Sequence, residues 1–346
     1  MGRRRRKSRK KSGFGVAGFL LVLFLVLLSV AGSAAWLVLT PYGPERETFV
    51  EVPPGTPAVR IGKLLEAAGV VRTRYAFDLV RSLKRGTLRA GEYRFDHPVT
   101  VMDVYDRIAR GDVFTVSVTV PEGANMFDVA DRLEQAGFGT KQQFLDEVTR
   151  QTHLVADLDP HATSLEGYLF PDTYHFPRKA TPEQISAAMV RRFRQAAEQV
   201  GLKENVHVVV TIASLVERET AVAAERPLVA SVFQNRLARN MPLMTDPSVI
   251  YGLELERIWR GSIYQSDLKR DTPYNTYMHA GLPPGPVANP GVPALRAALE
   301  PAKTDYLYFV AAGDNPQGRS VFSSTFEEHQ RNVTEYRRAT KKAGGR

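Results

Sequence analysis

The chain has 346 residues, 43% hydrophobic and 24% charged, enough for a membrane anchor and two or three domains at ~100–200 residues each. It has no cysteine, which excludes disulfides, thiolate metal sites and a cysteine nucleophile. The formal charge of +9 is concentrated: eight of the 46 basic residues lie between Arg3 and Lys11, and the rest sets 38 basic against 37 acidic residues, so no broad basic face for nucleic acid is implied.

From Ser12 to Pro44 no residue is charged. A helix over Phe14–Leu39, at ~1.5 Å per residue, is long enough for a ~30 Å hydrocarbon core. Trp36 and Tyr42 fall where an interfacial aromatic belt would lie, and the basic cluster holds the N-terminus in the cytoplasm, leaving everything after Leu39 outside. A cleaved signal peptide is the alternative, with Ser33-Ala34-Ala35 as its cleavage site. The apolar run exceeds the usual signal core of ~7–15 residues, which favours a retained anchor.

An internal repeat follows. Phe49–Gly55 and a helical pattern over Val59–Gly69 recur 68 residues later as Ser117–Gly123 and Phe127–Gly137. Each copy reads as an alternating strand, a Pro/Gly turn, a helix and a glycine cap. The first copy continues with a helix at Arg74–Lys84, a strand at Leu88–Phe95 and a helix at Val101–Ala109. Such modules either bind glycan or act as spacers. A loop-rich bridge runs from His153 to Pro177. Helices are then predicted over Pro182–Val200, Asn205–Val222 and Arg226–Arg239. A short one spans Pro247–Tyr251, with Thr245-Asp246 as its N-cap. Tyr274–Pro293 is rich in Gly and Pro and reads as a functional loop or cleft wall. A helix at Ala294–Leu299, a strand at Tyr306–Ala311 with a hairpin partner at Ser320–Ser323, and a helix over Phe326–Ala343 complete the chain.

Seven histidines are scattered without metal-ligand spacing, so neither a metal nor a cofactor is expected. Ser266-Asp-Leu-Lys269 matches the Ser-x-x-Lys pattern of penicillin-recognising enzymes, but its companion elements are absent. The stronger signal is Glu217-Arg-Glu-Thr220, at the end of the apolar run Val206–Val216. On a helix, Glu219 shares a side with Val208, Ile212, Leu215 and Val216, while Glu217 and Arg218 point elsewhere. A carboxyl among apolar groups has a raised pKa and suits a general acid. An ordinary ion pair, or a helix end reaching solvent, explains the same pattern.

Several blocks occur together in order. They are Ala213–Arg226, Val229–Leu237 (Val-Ala-Ser-Val-Phe-Gln-Asn-Arg-Leu), Thr245–Gly252, Tyr274–Tyr277, Gly281–Gly285 and Pro301–Val310. Glu166–Tyr174 and Ala90–Phe95 precede them. This set resembles the YceG-like (MltG) family of endolytic murein transglycosylases over nearly everything after the anchor. The resemblance implies an α+β chain: a transmembrane helix, LysM-like small α/β modules, then a mainly helical catalytic domain distantly similar to lytic transglycosylases. The expected boundaries are a basic cytoplasmic tail at 1–12, the membrane helix at 13–40, a first module at 45–115, a LysM-like module with the bridge at 116–177, and the catalytic domain at 178–343.

The family's catalytic glutamate falls on Glu219. That residue would protonate the glycosidic oxygen between N-acetylmuramic acid and N-acetylglucosamine, then deprotonate the muramyl C6 hydroxyl, closing a 1,6-anhydro ring. An intramolecular nucleophile carries a large effective molarity, so a second catalytic carboxylate can be dispensed with. Glu217, Asp246, Asn275 and Tyr277 are candidates for contacting the sugar by their place in the motifs, with Asp246 equally plausible as a helix cap. The implied partners are peptidoglycan glycan strands, the membrane and, as a further expectation, peptidoglycan synthases; no nucleic acid is expected. The implied location is the cytoplasmic membrane, with a periplasmic or extracellular catalytic domain. Two other readings stay open: a glycan-binding scaffold without activity, and a tethered hydrolase with a carboxylate pair.

Overall fold

The computed structural model describes residues 14–312 and 318–344; the basic cluster at Arg3–Lys11 lies outside the described residues. The chain divides between Thr115 and Val116 into two compact units, each with its own hydrophobic core.

The first unit opens with helix α1 (Phe14–Leu39). An 18-residue window within Gly15–Leu39 has a mean hydropathy of 2.6, and the helix is long and apolar enough to cross a membrane. Its final turn does not stand free. Val38 is buried among the unit's apolar side chains, and the Arg72 guanidinium lies over the Trp36 ring at 4.5 Å and the Tyr42 ring at 4.6 Å. Strand β1 (Thr48–Val52), helices α2 (Ala58–Ala67) and α3 (Arg74–Lys84), strand β2 (Gly91–Phe95) and helix α4 (Val101–Arg110) follow. β1 and β2 pair antiparallel, Thr48 opposite Phe95. The core is Leu65, Phe77, Tyr93, Phe95, Val104 and Ile108, all essentially free of solvent.

The second unit repeats the plan. Strand β3 (Val116–Thr119) leads through a turn at Gly123 into helices α5 (Met126–Gln135) and α6 (Lys141–Arg150), and β4 (Thr173–Phe176) returns antiparallel to β3. The repeat seen in the sequence is thus a shared strand–helix–helix–strand order. Gly55 and Gly123 take the same left-handed conformation, with φ of 75° and 78°, which glycine adopts without a Cβ penalty. Capping boxes start both α5 (Asn125 with Asp128) and α6 (Thr140 with Gln143). Neither α6 nor β4 was expected. β4 turns the end of the supposed bridge into the edge that closes the second sheet.

Helices α7 (Pro182–Val200), α8 (Val206–Glu219), α9 (Arg226–Ala238), α10 (Asp246–Leu255) and α11 (Val292–Leu299) build the rest. A hairpin of β5 (Tyr308–Ala311) and β6 (Ser320–Ser323) and the helix α12 (Phe326–Gly344) close the unit. α8 is its axis: Val209–Val216 are all buried, and its main neighbours are α9 and α11. The bridge residues Leu165, Tyr168, Leu169 and Phe170 belong to the same core as α8, so module and helices share one interior.

Candidate active site

Glu219 is the last residue of α8, and Thr220 breaks the helix in an extended conformation. Its carboxyl lines a cavity of about 370 Å³. Among the described residues it has no hydrogen-bond or ion-pair partner, so its oxygens are free to meet a ligand. Burial and then the charge of Asp246 push its pKa up to about 7, against the lowering pull of Arg236 and Arg218. The negative end of the α8 dipole acts in the same raising direction. A carboxyl near pH 7 can both give and take a proton. The face expected from helical periodicity is only partly right: Val208 is 42% exposed, and the apolar wall at Glu219 comes from other elements.

Those elements are distant in sequence. α9 supplies Phe233 and Arg236, the stretch before α10 supplies Leu243–Thr245, and the hairpin and α12 supply Tyr308 and His329. Arg236 ties the walls together. It donates to the carbonyl of Leu307 at 2.7 Å and to that of Leu243 at 2.8 Å, and its guanidinium sits 5.3 Å from the Tyr308 ring centroid. Burial lowers its pKa, and Glu219 opposes that shift. Tyr308 stacks on His329 with centroids 5.1 Å apart and planes 20° from parallel. Arg236 and Tyr308 lie in the blocks Val229–Leu237 and Pro301–Val310, which assign them no role, and nothing local in the chain marks His329.

Asp246 and Tyr277 line the same cavity, joined by a hydrogen bond of 2.7 Å from the Tyr277 hydroxyl to Asp246 Oδ1. The expected cap is not made. Thr245 occupies the N-cap position of α10, yet its hydroxyl donates and accepts nothing among the described residues, and Asp246 is the first helical residue. Met244, beside them, has a φ of 53°, a left-handed backbone that is uncommon for a side-chain-bearing residue. It is held by a hydrogen bond from its N–H to the Thr276 carbonyl at 3.1 Å, and the Thr245 N–H donates to the Thr276 hydroxyl at 3.0 Å.

Glu217 and Asn275 do not line the cavity. Glu217, with a side chain 3% exposed, accepts from Arg226 Nη2 at 2.6 Å and from the Gly291 N–H at 3.0 Å. It locks the end of α8 to the starts of α9 and α11. A Cβ at Gly291 would meet the Glu122 carboxylate, which would have to swing aside. Asn275 is fully buried; its amide donates to the carbonyls of Leu268 and Arg270, and its oxygen accepts from the Tyr277 N–H at 2.9 Å. It shapes the loop that delivers Tyr277. Among the described residues no group of three His, Asp or Glu is placed to hold a metal ion.

The sequence model of the YceG-like family matches residues 50–335. The chain belongs to the YceG-like family. It is 34% identical over 324 residues to a Bacillus subtilis protein named endolytic murein transglycosylase, an alignment covering 86% of this chain and 88% of that one. A Streptococcus pneumoniae protein of the same name is 31% identical over 354 residues, covering 91% of this chain but 64% of the longer relative. Among solved structures, a crystal structure of a yceG-like protein from Listeria monocytogenes superposes with a TM-score of 0.54 at 31% identity, covering 83% of this chain and 99% of that one. The Glu219 cavity lies wholly within the matched segment of this YceG-like chain.

Proposed function

We propose that the chain is a membrane-anchored endolytic murein transglycosylase, acting on the bond between N-acetylmuramic acid and N-acetylglucosamine within glycan strands. One observation carries this reading: in a family whose relatives bear that name, the single unpartnered carboxyl of the cavity, Glu219, has a pKa raised to about 7. Glu219 gives its proton to the glycosidic oxygen as the C1–O bond breaks. The resulting carboxylate takes the proton of the muramyl C6 hydroxyl as that oxygen bonds to C1, and Glu219 is restored. Positive charge developing at C1 is met by Asp246, oriented by the Tyr277 hydroxyl. Tyr308, stacked on His329 and under the Arg236 guanidinium, forms the wall against which the sugar sits.

The two strand–helix–helix–strand modules fit LysM-like modules, and the helical body fits a distant relative of lytic transglycosylases. α1, with the basic cluster before it, suits a single-pass anchor with the N-terminus inside. Protease added to spheroplasts should then digest the 45–346 portion; protection until lysis overturns that orientation. Partners are glycan strands and, by this reading, the synthases that make them.

Asp246 favours a second reading. It is another carboxylate in the same cavity, which is what a hydrolase needs to activate water. Glu219→Gln separates the enzyme readings from an inert scaffold. It should lose at least the ~10²–10⁴-fold typical of removing a general acid–base while still binding glycan. Undiminished cleavage by Glu219→Gln overturns the assignment.

A further inference from the structure

In the first unit, α3 carries two unlike faces. Ala76, Phe77 and Val80 are buried in the unit's core. Tyr75, Leu79 and Leu83 recur every four residues on another side of the helix, so they form one stripe ~12 Å long. They are 67%, 40% and 75% exposed. Beyond α1, the only other large apolar side chains exposed in this unit, among the described residues, are Val59 and Val113. Single exposed apolar residues need no explanation, but a continuous stripe marks a surface that something covers.

What covers it follows from how the unit is fastened to α1. The end of α1 packs against α3 and α4, and Leu37 and Val38 join the unit's apolar side chains. Only Thr40 and Pro41 separate α1 from Tyr42, whose N–H donates to the Val99 carbonyl at 3.0 Å, just ahead of α4. Arg72 lies over the rings of Trp36 and Tyr42, and the stripe begins three residues later at Tyr75. No linker therefore lifts α3 away from the end of a helix long and apolar enough to cross a bilayer. Charge points to the same surface. Arg74, Arg81, Lys84 and Arg85 stand against Asp78 alone over this stretch. Lys84 is paired with Asp106 at 2.7 Å and Arg81 with Asp78 at 3.7 Å. Arg74 and Arg85, at the two ends of α3, form no ion pair among the described residues. A helix with Tyr and Leu on one side and surplus Arg and Lys around it is built to lie in a lipid interface, where cations meet anionic headgroups.

We propose that α3 lies in the surface of the bilayer that α1 crosses, with Tyr75, Leu79 and Leu83 against the acyl-chain boundary and Arg74 and Arg85 on anionic phospholipid headgroups. This rests on α1 as a membrane anchor and goes beyond it. A single spanning helix leaves the domain it carries free to tilt, whereas a second attachment along α3 fixes the first unit against the membrane. That unit then acts as a base seated on lipid, not as a flexible spacer.

The chain has two tryptophans, so Trp36→Phe with Trp259→Phe clears the background for a single reporter at Leu83→Trp or, in a second protein, Tyr75→Trp. The full chain is reconstituted into vesicles of phosphatidylcholine and phosphatidylglycerol. Bromine placed high on the acyl chains should remove roughly half of either reporter's emission, because an interfacial helix buries its apolar face only ~5–10 Å deep. Adding Leu79→Glu, in the middle of the stripe, should release both reporters with melting temperature retained. Quenching should weaken in phosphatidylcholine alone; quenching indifferent to phosphatidylglycerol overturns the headgroup contacts. A parallel protein keeping only Trp36 reports on α1 itself. If Trp36 is quenched while both reporters stay open to aqueous iodide and blind to bromine, the anchor stands and the α3 proposal is refuted. If Trp36 also escapes bromine, the anchor reading fails and the proposal falls with it. A blue shift without bromine quenching that grows with the protein-to-lipid ratio overturns the lipid contact in favour of a second copy of the chain.

Discussion

Glu219→Gln should stabilise the protein in a pH-dependent way. The native carboxyl is pushed from an ordinary value near 4.5 up to about 7, a difference of roughly 2.5 units. At ~1.4 kcal/mol per unit, ionising Glu219 in the folded state costs about 3 kcal/mol, less whatever the open side of the cavity screens. The sign follows from proton binding. Between pH 4.5 and 7 the folded state holds more protons at this site than the unfolded chain, so stability falls as pH rises, and the contribution of protonated Glu219 is fully lost above 7. Glutamine does not titrate, so the variant lacks that fall. Glu166, buried and raised to about 8, titrates in both proteins and cancels in the comparison. The assay is thermal unfolding of native and Glu219→Gln protein in the same detergent at about pH 5 and pH 8.5. The variant's advantage should grow by roughly 5 °C or more between the two pH values, given ~2–4 °C per kcal/mol for a unit of this size. A melting-temperature difference independent of pH would mean that Glu219 ionises like a surface carboxylate. The general-acid role at neutral pH would then lose its physical basis.

Asp246→Asn removes the charge that most raises Glu219 after burial, so the alkaline limb of the activity profile should move to lower pH; a limb that stays put excludes Asp246 from setting Glu219. Glu217→Ala leaves the Arg226 guanidinium, whose side chain is 9% exposed, with only its longer contact to Glu122 at 3.4 Å, and should lower stability by about 2 kcal/mol in denaturant unfolding while leaving the pH profile in place. A displaced pH profile with unchanged stability would instead put Glu217 in the chemistry.

How much of this was legible in the sequence depended on whether the signal was local. Helices α3 and α7 are read to the residue because their ends are written in the chain. Thr73 and Thr181 cap their starts, and Arg85 and Gly201 take left-handed conformations at their ends. α6 was missed although Thr140 and Gln143 form a capping box: in Lys-Gln-Gln-Phe-Leu-Asp-Glu-Val-Thr-Arg only Phe144, Leu145 and Val148 are apolar, too few to trace a face. β4 is four residues between prolines, Thr173–Phe176, and is a strand only because β3 lies beside it. At the site, the motifs pointed to Glu219, Asp246 and Tyr277, which the fold does bring to one cavity. They also pointed to Glu217 and Asn275, whose partners Arg226, Gly291 and Arg270 make them structural. The periodicity of α8 could not report that Arg236, Tyr308 and His329, up to 110 residues further on, would wall Glu219 in.

The central claim is that the C6 hydroxyl of the muramyl unit, and not water, attacks C1. Mass spectrometry of the products formed by the purified 41–346 portion from polymeric glycan tests it directly. The expected products carry 1,6-anhydro-muramyl ends, one water lighter than hydrolysis products and resistant to borohydride reduction from the earliest time points. Reducible muramyl ends appearing first would contradict it and make Asp246 the base of a hydrolase.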